Sequence, residues 1–147
     1  MSADLITWLR AQLDEDEQVA REASCGPWRA DVKYARVVRP YSDPLGVNVG
    51  EFGIAEVYGS LMHDGRAVLT AAHISRWDPA RVMLDVAAQR RIIDAYADAI
   101  HMHRAMSETD DDGKWDWLFK EEALEGVVKI LALPYAYRAG YREEWKP

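Results

Sequence analysis

Cysteine, phenylalanine and long apolar runs are all scarce in this chain of 147 residues, which holds one Cys and two Phe. The single Cys25 cannot close a disulfide within the chain, and no charged-then-apolar leader stands before the first helical pattern, so a reducing cytoplasm is the expected location. No stretch approaches the roughly 20 apolar residues of a membrane-spanning helix, and no membrane role is expected. Also missing are a glycine-rich phosphate loop, a Gly-x-Ser-x-Gly elbow and a Cys-x-x-Cys pair, the residue sets of nucleotide, serine-hydrolase and dithiol chemistry. Positive charge is in deficit, with 18 Lys and Arg against 25 Asp and Glu for a formal charge of −7. Direct nucleic-acid binding relies on clustered cations that replace counterions along the phosphates, and is not expected here.

What is present suits one domain over residues 1–147, because hydrophobic residues make up 49% of the chain and can offset the entropy of ordering it. Six Trp and seven Tyr favour rings with a polar edge, which serve interfaces as well as cores. Ser2 followed by Leu5, Leu9 and Leu13 predicts a helix over 3–23, stopped by Ser24-Cys25-Gly26-Pro27. Residues 28–58 change to short β-branched and aromatic stretches and predict a β-meander. Its strands are expected at Trp28–Lys33, Ala35–Val38 and Ile54–Tyr58, with a short one near Val47–Val49 and a loop over Pro40–Gly46. A small-residue helix is expected over Arg66–Ser75. Asp78 as cap and Pro79 at the first helical position then open a long helix reaching about Met102. Ser107–Gly113 reads as an acidic loop. Trp117, Leu124, Val127, Val128 and Leu131 mark a last helix ended by Pro134, and Tyr135–Pro147 forms a tail laid over the body. The fold class is α+β: an N-terminal helix, an antiparallel meander of three to four strands, then three helices packed on it.

Four groups of residues invite a chemical interpretation. Asp94, Asp98 and His101 fall on one helical face, and His101 and His103 form a His-x-His pair, the donor types of a zinc or similar site. On a regular helix those two imidazoles point about 200° apart, so one ion takes both only where the helix frays. A solvated helix end explains them more simply and is the favoured reading. Glu108, Asp110, Asp112, Gly113 and Asp116 match an EF-hand loop at five positions. Phe119 stands where the bidentate Glu belongs, which favours an acidic loop at a helix N-terminus. His73 with Asp78 has the types of a base and its orienting carboxylate, or is a half-buried histidine beside a cap. Cys25 has no neighbouring histidine to activate it as a nucleophile.

Three blocks stand out in order along the chain: Leu9–Glu17 followed by Gly26-Pro27-Trp28, then Ala71–Val82, then Leu131–Ala136 with Tyr141–Trp145. Together they resemble an uncharacterised family of actinobacteria and their phages, domain-of-unknown-function family 6221. The resemblance implies such a source and no activity. Relatives with cysteines between the long helix and the last one suggest a small zinc site, and this chain has none there. With no chemical motif and an excess of Trp and Tyr, the expectation is a non-enzymatic interaction or regulatory accessory protein that binds a host protein or itself as a homo-oligomer. Its contact residues are expected to be Trp115, Trp117, Tyr137, Tyr141 and Trp145. The alternatives are a metal-binding protein or metal-dependent enzyme with a site of Asp94, Asp98, His101 and His103, or an acidic decoy of a DNA-binding protein. The decoy requires Asp14–Glu17 and Asp110–Asp112 to share a face.

Overall fold

The computed structural model describes residues 2–23, 25–42, 48–57, 65–109 and 112–147. The order is α1 (Ser2–Glu22), β1 (Arg29–Asp31), β2 (Arg36–Ser42), β3 (Asn48–Glu56), α2 (Arg66–Ser75), α3 (Pro79–Glu108) and α4 (Lys114–Ala132). Two 3-10 turns, Leu133–Tyr135 and Glu143–Trp145, follow. This is the α+β architecture expected from the sequence: one helix, a three-stranded antiparallel sheet, then three helices. Among the described residues no helix is long and apolar enough to cross a membrane. The chain divides into two compact units, Met1–Asp16 with Asp85–Pro147, and Glu17–Leu84, and the divisions fall inside α1 and α3.

In the unit Glu17–Leu84 the sheet has the order β1-β2-β3, and α2 packs on β1 and β2. Val37 and Val38 on the central strand and Ala67 and Ala71 on α2 are buried. The small side chains of α2 let its backbone come close to the strands, as its composition predicts. All three strands differ in extent from expectation. β1 is shorter, Arg29–Asp31 within the expected Trp28–Lys33. β2 continues through Pro40 to Ser42 rather than stopping at Val38, because β1 pairs only with Arg36–Val38 and, among the described residues, one edge of Pro40 has no strand partner. β3 is one strand from Asn48 to Glu56, with register shifts opposite Val37/Val38 and Tyr41/Ser42 that absorb Ile54 and Val49 as extra residues. The predicted turn at Asp43-Pro44 and the strand end at Tyr58 lie outside the described residues.

Asp78 acts as the sequence predicts. Its Oδ1 accepts the Arg81 N–H at 2.8 Å, satisfying a free donor of the first turn of α3, and Oδ2 accepts the Trp28 N–H at 3.3 Å. One carboxylate thus caps α3 and holds the entry to β1.

The unit Met1–Asp16 with Asp85–Pro147 is built from the first turns of α1, most of α3, α4 and the C-terminal segment. Leu5, Ile6, Leu9 and Leu13 of α1, Val86, Ile93, Tyr96 and Ala99 of α3, and Val128 and Ala132 of α4 are buried there. Each large apolar side chain in that core contributes roughly 1.5–3 kcal/mol. α3 runs to Glu108 instead of ending near Met102. Arg104-Ala105-Met106 are strong helix formers, no Gly or Pro intervenes, and His103 is held to α4 by Glu121. Ser107 and Glu108, predicted in a loop, therefore belong to the helix.

Candidate interaction surface

The C-terminal segment is pinned by polar and aromatic contacts to α1. Tyr135 donates its hydroxyl to Asp16 Oδ2 at 2.8 Å, and Arg138 donates to Asp16 Oδ1 at 2.6 Å, with longer bonds to Glu15 and Gln12. Arg142 reaches Asp4 at 2.9 Å, and the Trp8 indole N–H donates to the Ala139 carbonyl at 3.0 Å. Burial, and then the hydrogen bond to Asp16, push the Tyr135 phenol well above its ordinary pKa. Burial opposes the Arg138 charge, but hydrogen bonds to Asp16 and Tyr137 outweigh it and raise the guanidinium's pKa. At Gly140 the backbone turns left-handed, with φ of 85°, and a Cβ there would stand 3.0 Å from Trp8 Nε1. Glycine is the residue that permits this approach.

These contacts sort the five aromatic residues proposed for partner binding. Trp145 is 2% exposed, and with Tyr141 it packs against Trp8 at ring-centroid distances between 5.2 and 5.8 Å. Trp145 is buried in that cluster and Tyr141 is half-buried there. Trp117 is half-buried with Lys120 over its face. Trp115 and Tyr137 are 55% and 81% exposed.

The last two belong to a larger feature. Trp115, Phe119, Ala123 and Ile130 lie on one outward face of α4, Val127 stands at its margin, and Leu133 and Tyr137 carry the stripe into the following turn. At about 100° per residue the α4 members span an arc of about 120°. Phe119 is 64% exposed and Ile130 is 56% exposed. Val128 and Ala132 bury the opposite face. The α4 part of the stripe, from Trp115 to Ile130, runs about 22 Å, on the scale of a helix–helix contact rather than a scattering of surface apolar residues. At the centre of the whole stripe is Gly126, where an added Cβ would meet nothing within 4 Å. Phe119, Ile130 and Leu133 were missed in reading the sequence. A helix whose apolar residues follow two faces instead of one was the available signal.

The metal candidates are not gathered. α3 is a regular helix through His101 and His103, so their imidazoles diverge. Asp94 is paired with Arg10 at 2.7 Å, Asp98 and His101 are exposed, and His103 Nδ1 lies 2.7 Å from Glu121 Oε2. Among the described residues no group of three or more His, Cys, Asp or Glu side chains could hold a metal ion. The His103–Glu121 pair lines an open cavity of about 380 Å³ with Ile100, Arg104, Ser107 and Glu108. It ties α3 to α4, and the spacing along the chain gave no hint of it.

The acidic run of α1 is occupied as well. Asp14 pairs with Arg90 at 2.5 Å, Glu15 and Asp16 with Arg138, and Glu17 with Arg21. Asp110 and Asp111, the other half of the decoy reading, lie outside the described residues. His73 is exposed beside Trp77, and Asp78 spends its oxygens on backbone N–H groups, so the two do not form a catalytic pair. Cys25 is exposed and accepts a hydrogen bond from Arg39 at 2.7 Å.

Comparison with curated proteins and with solved structures finds no match. The model of a family of unknown function (DUF6221) matches residues 2–147, and the chain belongs to that family.

Proposed function

We propose that this chain is a protein–protein interaction module, an accessory or regulatory protein that works through the outer face of α4. The observation that carries this is the exposed apolar stripe of Trp115, Phe119 and Ile130 on α4, a helix whose other face is already buried, continued by Leu133 and Tyr137 in the turn that follows. Isolated exposed apolar residues need no explanation, but a stripe along a whole helix is the shape of a helix-in-groove or helix–helix contact. Large rings at its two ends and aliphatic side chains between them are the residue types that carry binding energy when water is excluded. The family resemblance supports an actinobacterial or phage source, and the single Cys25 supports a reducing cytoplasm.

The test is a photo-crosslinking residue placed at Phe119, with one at Lys146 as control, in cells that make the protein naturally. Covalent adducts of any mass are expected at Phe119 and not at Lys146. If both positions stay free of adducts, the α4 face is not an interaction surface.

A further inference from the structure

We infer that the occupant of the α4 face is a second copy of this chain, with two α4 helices pairing antiparallel about a two-fold axis at Gly126. This rests on the interaction-face proposal and names its partner. Gly126 has no explanation inside the chain. It sits within a regular α-helix, where glycine costs about 1 kcal/mol relative to alanine. The space a side chain would occupy is open. Gly140, by contrast, is required by its own chain. A glycine at the middle of an exposed apolar stripe lets a second backbone come close.

The stripe is also symmetric about that glycine. Trp115 and Tyr137 lie eleven residues either side of Gly126, and Phe119 and Leu133 lie seven either side. A reversed copy centred on Gly126 therefore sets Trp115 on Tyr137 and Phe119 on Leu133, twice each, as an isologous contact requires. Charge agrees with this register. Glu122 lies four residues before Gly126 and Lys129 three after it, on the same edge of the stripe. In an antiparallel pair like edges meet, so Glu122 of each copy stands beside Lys129 of the other, giving two opposite-charge contacts. Lys129 already leans on Glu125 at 2.9 Å, which holds it at that edge. The opposed helix dipoles favour the same direction.

Charge reversal provides the decisive experiment. Sedimentation velocity of the purified wild-type chain should show a dimer at micromolar concentrations. Glu122→Lys and Lys129→Glu should each weaken self-association at least about tenfold, since each sets like charges together twice. An equimolar mixture of the two variants restores both contacts and should dimerise as tightly as wild type. Gly126→Leu should abolish the dimer while far-UV circular dichroism is unchanged and the melting temperature stays at or above that of wild type measured at concentrations where wild type is monomeric, because the monomer has room for the side chain. Three results overturn the inference: a wild-type monomer at hundreds of micromolar, charge variants that dimerise unchanged, or a mixture no tighter than its components. Adducts at Phe119 to other proteins alongside a wild-type monomer would end the dimer and leave the interaction face standing. Absence of both adducts and dimer would end the two together.

Discussion

The two aromatic regions of the unit that holds both chain ends use the same residue types for opposite purposes. Around Trp8, Tyr141 and Trp145 the rings close on one another, and the backbone accommodates them with a left-handed Gly140. Along α4 the rings of Trp115, Phe119 and Tyr137 face outward, and Gly126 adjoins empty space. Residue type does not separate the two regions; what each ring and each glycine touches does. The largest expected effect tests that contrast directly. Trp145→Ala should cost about 3–5 kcal/mol in urea unfolding, because it empties a buried site. Trp115→Ala should change monomer stability by no more than about 0.5 kcal/mol at concentrations where the chain is monomeric. Equal losses at the two positions would abolish the distinction.

The ion pairs of the C-terminal segment divide in the same way. Arg138 and Asp16 have side chains 23% and 25% exposed, and Arg138 also engages Glu15 and Gln12. Arg138→Ala leaves Asp16 partly buried with only Tyr135 as donor, at a cost of about 2 kcal/mol. Arg142 and Asp4 are 52% and 54% exposed, and Arg142→Ala should cost less than about 0.5 kcal/mol. Denaturation midpoints of the two variants in matched salt decide this. The glycines sharpen the contrast further and with opposite signs. Gly140→Ala forces a Cβ into a left-handed conformation against Trp8 and should cost about 1–2 kcal/mol. Gly126→Ala gains helix propensity and should stabilise the monomer by up to about 1 kcal/mol. A stabilised Gly140→Ala or a destabilised Gly126→Ala would mean that the local environments are misassigned.

The legible parts of the sequence were those in which one local signal dominates. Asp78-Pro79 specifies a helix start through a side-chain cap and an unused N–H, and the structure places α3 there. α2 has the predicted ends. The strands were harder, because Pro40, Gly50 and Gly53 read as breaks. Among the described residues, the open edge beside Pro40 and the register shifts of β3 make them compatible with pairing, and neither can be seen without the partner strand. The candidate surface was half legible. In α4 the apolar residues form two periods, one packed and one exposed, and the expected contacts include Trp115 of the exposed one but not Phe119, Ile130 or Leu133. Tyr141 and Trp145 have no period at all, so nothing local marked their packing against Trp8. The His103–Glu121 pair and the arginines that meet the acidic run of α1 join positions far apart in sequence, and such contacts become visible only once the chain is folded.

A further effect concerns a single proton. The Tyr135 phenol is held above its ordinary pKa of 10.0, first by burial and then by its hydrogen bond to Asp16 and that carboxylate's charge, with Arg138 acting the other way. A folded pKa above the unfolded one means that the native chain keeps this proton after the unfolded chain has released it. The corresponding stability is fully present below about pH 10 and is lost as pH rises beyond it. Tyr135→Phe should cost about 1 kcal/mol at neutral pH, the net worth of the lost hydrogen bond. It should also flatten the alkaline loss, so that the two stability curves converge above about pH 10. In a phenolate absorbance titration of the folded protein, the variant should lack the group that ionises last. Parallel stability curves for the two proteins would show that Asp16 and the surrounding packing do not hold the Tyr135 proton. The pinning of the C-terminal segment would then rest on Arg138 and the Trp8 cluster alone.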